Sequence, residues 1–287
     1  LAQRAIREAE LIGNRAAELQ VHLGQEALAA GKTDEAIGFF DAALTASPGL
    51  LEPTLALLEL LGPSGNHARI DQLIEATLST VAAGESILPE VERARLRRRQ
   101  AAARQELGLV DGTLAALKEA EQLVPGTLAE KLWLGETAFA QGDFATALLH
   151  LAPLSSLMVD RDALPEPLTQ ARLADLLDQA GQAAQALGKL DEARTLWQAV
   201  LTLVGDHAAA TNHYLDLLLA AGQSADAEEA LAMLSGRASQ AAAAGDVQAA
   251  RRDYRRAAAL AAGPIADSLR AQDFLKQALA LLPPLGE

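Results

Sequence analysis

The phrase GKTDEA at residues 31–36 returns as GKLDEA at residues 188–193. A chain that repeats itself in this way is restricted to architectures in which one small unit stacks on the next. Looser copies stand at 108–113 (GLVDGT), 141–147 (QGDFATA), 221–227 (AGQSADA) and 244–250 (AGDVQAA). Each joins a Gly-containing break to an Asp at or near the start of the next apolar-periodic run. The pattern predicts a helix ended by a left-handed Gly, then a second helix whose free amides the Asp carboxylate caps. Breaks this short make antiparallel helix hairpins.

Composition agrees with that reading. Half of the 287 residues are apolar, but only 3% are aromatic, and Ala and Leu carry most of the apolar content. Thin helices packed at short distance suit such a chain better than strands, which favour β-branched and aromatic residues. A net charge of -14, spread over both halves, argues against a nucleic-acid or anionic-membrane binder, which needs a basic face. The absence of cysteine excludes disulfides, thiolate metal sites and thiol catalysis. No run approaches the length of an apolar membrane span, and the opening LAQRAIREAE has charges where a signal peptide needs its apolar core. With Leu at position 1, the sequence is expected to be a piece of a longer parent chain. Arg exceeds Lys by 19 to 5, a bias that fits a GC-rich bacterial genome. The compartment, bacterial cytoplasm or periplasm, stays open.

Runs of helical length surround each break. They pair as 17–30 with 33–46, 50–61 with 66–83, 90–107 with 111–123, 127–141 with 143–152, 168–187 with 190–204, 208–221 with 224–235, and 237–244 with 246–262. A leading helix is expected over 1–12 and a terminal one over 264–282. Three stretches break the rhythm: GPSGN at 62–66, GESILP at 84–89 and LAPLSSLMVDRDALPEP at 151–167. Pro153 should end its helix, since it has no amide to donate and crowds the preceding turn. The expected organisation is therefore 1–152, an irregular Pro-rich connection over 153–167, and 168–287.

Residues 17–50 carry Leu23, Gly24, Ala27, Ala36, Phe40, Ala43 and Pro48 at the spacing of one known pattern. In this the chain resembles the tetratricopeptide repeat family. Partial matches follow in 128–159 (Leu134, Gly135, Ala138, Gly142, Ala147), in 174–207 (Gly181, Ala184, Ala193, Trp197) and in 235–262 (Ala250, Tyr254, Ala257). The resemblance implies an all-α, right-handed superhelical solenoid of about seven such hairpins with a terminal capping helix over 264–282. The first helix of each pair would line a concave groove, and the end helix would present a polar outer face. It also implies a non-catalytic protein–protein interaction scaffold that binds a partner peptide or helix in that groove. Two other readings stay open: a structural segment of a larger bacterial envelope machine, as in polysaccharide export or pilus assembly, and the regulatory arm of a multidomain enzyme.

No catalytic or cofactor motif is present: neither a P-loop, nor Gly-x-Gly-x-x-Gly, nor Gly-x-Ser-x-Gly, nor His-Glu-x-x-His. No cofactor and no metal are expected. His207 and His213 are six residues apart, about 240° around a helix, and cannot chelate one ion from a single helix. The candidates lie instead on first helices. With the repeat phase set by Gly108 and Pro125, Arg95, Arg98 and Arg99 in ERARLRRRQAAAR point toward the implied groove. There they would meet a carboxylate or phosphate of a partner, the alternative being ion pairs within this acidic chain. Trp133, Glu136 and Phe139 form a stripe offset from the packing face, with Trp133 an anchor or a core residue. Asn212 and Asp216 stand at similar phase in TNHYLD, where Asn212 can bond a peptide backbone. The positions through which some family members hold a chaperone tail are here Val21 and Gln25, so that recognition set is absent.

Overall fold

The computed structural model describes residues 2–84, 87–160, 163–205, 207–221 and 224–281, and of residues 2–11, 160, 221 and 224 the backbone only. Leu282 of the expected terminal helix, and Glu85, Ser86, Arg161 and Asp162 of two expected connections, lie outside the described residues. All regular structure among the described residues is helical. The chain divides into two compact units, Leu1–Thr146 and Ala147–Glu287.

The first unit contains α1 (Ala2–Ala29), α2 (Thr33–Ala46), α3 (Leu51–Leu61), α4 (His67–Ala82), α5 (Glu90–Glu106), α6 (Val110–Leu123) and α7 (Leu128–Ala140). α8 (Phe144–Leu151) spans the division. Consecutive helices pack on one another from α1 through α7. The core of this unit gathers Phe40, Leu57, Leu58, Ile74 and Leu96 among smaller Ala side chains.

The second unit contains a 3-10 helix (Ala152–Asp160) and then α9 (Gln170–Ala186), α10 (Leu190–Leu203), α11 (Ala208–Ala221), α12 (Ser224–Ala243), α13 (Val247–Ala262) and α14 (Ser268–Ala280). Again each helix packs on the next, α9 through α14. Trp197, Tyr214, Leu151, Leu173, Leu176, Leu177 and Leu215 are its largest fully buried side chains.

The two copies of the repeated phrase fold alike. After α1 the amide of Gly31 donates to the Leu28 carbonyl and that of Lys32 to the Ala27 carbonyl, both at 2.9 Å. After α9 the amides of Gly188 and Lys189 donate to Gln185 and Ala184 in the same way, also at 2.9 Å. Both glycines sit at φ +73°, a left-handed conformation that a side chain disfavours, and this paired bonding closes the helix end. The following Lys repeats its ion pair with a Glu in the first turn, Lys32–Glu35 at 3.0 Å and Lys189–Glu192 at 3.2 Å. Between the helices, Gly24 lies under the Phe40 ring and Gly181 under Trp197: a methyl group on either would stand 2.6 Å and 2.5 Å from the aromatic atoms. Ala36 and Ala193, in contact range at the start of the second helices, are fully buried. Small residues on one helix and one aromatic on the other thus let the axes approach while leaving no void.

Four local expectations are corrected. The expected helices over 1–12 and 17–30 fall, as far as the described residues go, in one continuous helix, α1 (Ala2–Ala29), and those over 224–235 and 237–244 in one helix, α12 (Ser224–Ala243). Gly13 and Gly236 do not break them, because an interior Gly costs only about 1 kcal/mol against Ala, less than abandoning a turn of hydrogen bonds in an Ala-rich run. Asp34 and Asp191 do not cap: the N-caps of α2 and α10 are Lys32 and Lys189, with no side-chain cap bond. The Gly turn already fixes where those helices start, so the acids fall in the first turn and act on the positive helix end instead. Carboxylate capping does occur at Asp246, which accepts from the Ala249 amide at 3.0 Å, and at Asp267, which accepts from Leu269 and Arg270 at 3.1 Å. Finally, residues 152–160 are not irregular: α8 stops at Leu151, as Pro153 requires, but the chain continues as the 3-10 helix, which packs on α9 and α10.

Candidate partner-binding surfaces

α5 is the most charged helix, and most of its arginines are bound within the first unit. Arg97 reaches Glu119 at 2.7 Å and Glu75 at 3.4 Å, and Arg104 reaches Asp71 at 2.7 Å and Glu75 at 3.2 Å. Gln100 is fully buried between them. Its amide donates to Asp71 at 2.9 Å and Glu75 at 2.8 Å, while its carbonyl accepts from Arg97 at 2.7 Å. The Gln100 bond, with Arg97 and Arg104 nearby, holds the Glu75 carboxyl below the usual glutamate range. This polar seam joins α4, α5 and α6, with every buried member of it hydrogen-bonded.

The three arginines singled out by sequence do not share a partner. Arg98 reaches forward, its Nη2 donating to the Val124 carbonyl at 2.7 Å and its Nε meeting Glu130 at 3.0 Å. Glu130 is also the reciprocal member of the capping box that starts α7 at Thr127, so Arg98 ties α5 to that connection. Arg99 reaches back, its Nη2 donating to the Leu58 carbonyl near the end of α3. Burial pushes the Arg99 guanidinium below the usual arginine range and the neighbouring Arg95 adds to this, while Glu59 opposes it. Arg95 projects outward, 61% exposed, at 4.0 Å from Glu92. An open depression of 340 Å³ adjoins Arg99, with Gly62, His67, Ile70, Ala102 and Gln105 among its walls.

On α7, Trp133 is half-buried and packs against the cluster of Ala101, Ala116, Leu117 and Leu134. It is neither free in solvent nor closed into the core. Glu136 is half-buried. Phe139 turns toward α8 and meets Phe144 edge-on, with ring centroids 6.0 Å apart.

In the second unit Asn212 and Asp216 lie one turn apart on the exposed side of α11. Asn212 accepts from Arg237 at 2.9 Å, and Asp216 stands 3.5 Å from Arg256. The two histidines close in sequence face two different carboxylates on α9, His207–Asp175 at 3.0 Å and His213–Asp178 at 2.9 Å. Among the described residues no group of three or more His, Asp or Glu could hold a metal ion.

Two features of this unit had no sequence signal strong enough to read. Asp178, 5% exposed, accepts from Trp197 Nε1 at 2.8 Å and from the Gln182 amide at 3.0 Å, besides its contact with His213. A depression of 510 Å³ is walled by Thr211, Met233, Gly236, Arg237, Gln240 and Asp253, together with neighbouring residues of α10 to α13. It joins side chains from four helices, which spacing along the chain does not reveal.

No protein-family model matches the sequence, and no curated protein matches it. Solved structures do. One is YrrB, described as a TPR protein with an unusual peptide-binding site: 15% identity, TM-score 0.44, covering 73% of this chain and 95% of that one. MamA is 17% identical at TM-score 0.41, over 67% of this chain and 94% of its own. A tetratricopeptide repeat protein from Parabacteroides merdae is 13% identical at TM-score 0.37, over 92% and 99%. The chain is similar to tetratricopeptide repeat proteins. Its own residues carry that likeness, through the Gly24–Phe40 and Gly181–Trp197 contacts and the identical Gly31 and Gly188 turns. No helix among the described residues is long and apolar enough to cross a membrane.

Proposed function

We propose that this chain is a non-catalytic protein-interaction scaffold whose α5 and α7 face takes a partner peptide or helix bearing an acidic group. One observation carries this reading. Among the described residues, Arg93, Arg95, Arg97, Arg98 and Arg104 of α5 each have a carboxylate within ion-pair distance, and Arg99 has none. A half-buried guanidinium in a chain of net charge -14 that bonds only a backbone carbonyl keeps one edge of its fork unpaired. Arg95 repels the Arg99 guanidinium and Glu59 offsets that repulsion, so a further carboxylate placed between the two arginines would face two cations at once. The depression beside Arg99 gives room for the incoming group, and the half-exposed Trp133 on α7 offers an apolar anchor for the same segment. Glu136 and Phe139 are proposed as flanking contacts of this site, and Asn212 and Asp216 as separate candidate contacts on the second unit.

The test is an array of extended peptides with one Asp or Glu in an aliphatic background, read by fluorescence anisotropy against the whole chain. Arg95→Glu and Arg99→Gln are expected to weaken the best peptides by about tenfold or more each, since a lost charge-assisted pair is worth roughly 1.5–3 kcal/mol. Peptide affinity unchanged by both substitutions would overturn the proposal.

A further inference from the structure

We propose that the outward face of α13 is a docking surface for an acidic helix of a partner protein, one whose carboxylates recur one turn apart. Arg251, Arg252, Arg255 and Arg256 stand on this helix at i, i+1, i+4 and i+5. At 100° per residue they fall in an arc of about 140°, opposite the buried Ala250, Tyr254, Ala257 and Ala261. Like charges one turn apart work against a helix, and this one contains two such pairs, Arg251 with Arg255 and Arg252 with Arg256. The chain does little to offset them. Among the described residues, no carboxylate lies within ion-pair distance of Arg251 or Arg255, and the buried Nε of Arg251 has no hydrogen-bond partner. Arg252 stands 3.5 Å from Asp253, a buried carboxylate that Arg237 already holds at 3.2 Å, and Arg256 stands 3.5 Å from Asp216, whose side chain is 66% exposed. Exposed contacts of that length contribute little. Between residues 237 and 281 seven basic residues stand against four acidic ones, in a chain of net charge -14.

The size of the patch decides the partner. Six residues of helix give a ridge about 9 Å long, room for a few anions. Exposed carboxylates border it, Asp246 at the start of α13 and Asp216 beside Arg256. A nucleic acid carries a phosphate at every step of its strand and would run past the arginines onto these acids, against the field of a chain with net charge -14. A helix that carries Glu at i, i+1, i+4 and i+5 confines its anions to the length of the ridge, because the two helices share one rise and one period. Each carboxylate then meets one guanidinium, and the arginine fork holds both of its oxygens. The spacing reads the same from either end, so it admits both orientations of the partner. Toward the C-terminus the exposed Ala259 and Ala262 continue the same face, and side chains this small let a second helix axis approach.

Fluorescence anisotropy on the whole chain tests this with a labelled Ala-based helical peptide carrying Glu at i, i+1, i+4 and i+5, beside an isomer of the same composition whose Glu residues are spread around the helix. The patterned peptide is expected to bind about fivefold or more tighter than the isomer, with an affinity that falls as salt rises. Arg251→Gln with Arg255→Gln, and separately Arg252→Gln with Arg256→Gln, should each weaken it by about tenfold or more. Gln keeps the helix propensity of these positions, circular dichroism checks that the pairs fold, and the single variant Arg255→Gln, at an exposed side chain, should weaken binding in the same direction. Binding should persist in a chain carrying Arg95→Glu and Arg99→Gln, which separates this surface from the one on α5. A single-stranded oligonucleotide should bind more weakly than the patterned peptide. Equal binding of the two peptides, indifference to the arginine substitutions on α13, loss of binding in the Arg95→Glu and Arg99→Gln chain, or an oligonucleotide held more tightly by the same arginines would each overturn the proposal.

Discussion

Trp197 lies over Gly181 so closely that a methyl group at 181 would stand 2.5 Å from the indole Nε1, the same nitrogen that donates to Asp178 at 2.8 Å. Gly24 and Phe40 repeat the contact in the first unit without the polar tether. In both places the sequence exchanges side-chain volume on one helix for an aromatic ring on its neighbour.

Substituting these glycines should therefore separate steric from conformational effects. Gly24→Ala and Gly181→Ala are expected to destabilise the protein by about 1–3 kcal/mol, because a rigid buried ring must move. Gly236→Ala should act in the opposite direction and stabilise by up to about 1 kcal/mol, since that residue is helical with nothing within 4 Å of the added carbon and Ala lowers the entropy of the unfolded chain. Urea denaturation of the three variants checks both signs.

Asp178→Ala should lower stability by about 1–3 kcal/mol, the cost of leaving a buried indole N–H without an acceptor. Asp178→Asn keeps an oxygen for Trp197 and should lose less. The Trp197 emission of the Ala variant should shift to the red as water reaches the ring, and an unshifted spectrum would show that this bond does not seal the site.

Acid should weaken the α4–α5–α6 seam through Glu75. Its carboxyl is held below the ordinary glutamate range, first by Gln100 and then by Arg97 and Arg104. A depressed folded value contributes stability that is complete above the unfolded value and is lost as the pH falls below about 4. The urea midpoint should drop between pH 6 and pH 3 by less in Glu75→Gln than in the wild type, and the difference should be modest because the group is half exposed.

Arg98→Ala should cost about 1–2 kcal/mol, since it frees the Val124 carbonyl and Glu130. Arg95→Ala, at an exposed side chain 4.0 Å from its carboxylate, should stay within about 0.5 kcal/mol. Thermal melts of the pair separate the arginine that braces the connection into α7 from one that faces solvent.

The repeated phrase, the small residues of 17–50 and the sparse aromatics made the hairpins legible along the chain, because a Gly turn and a 3.6-residue period are local properties. Helix continuity through Gly13 and Gly236 was not legible, since an interior Gly and a breaking Gly look alike until the neighbouring helices set the balance.

The candidate site divides along the same line. Sequence alone placed Arg95, Arg98 and Arg99 together on one helix, and an acidic chain implied that some of them pair internally. Only the tertiary structure decided which: Arg98 bonds Val124 and Glu130, Arg99 bonds Leu58 and has no described carboxylate within ion-pair distance, and the carboxylates of Asp71 and Glu75 go to Arg97 and Arg104 around Gln100. Local rules of backbone conformation and packing period act within a turn or two of helix and are written in the chain. The assignment of each long, flexible guanidinium depends on which acceptors the stacked helices bring within about 3 Å, and that is settled only when the neighbouring helices are in place.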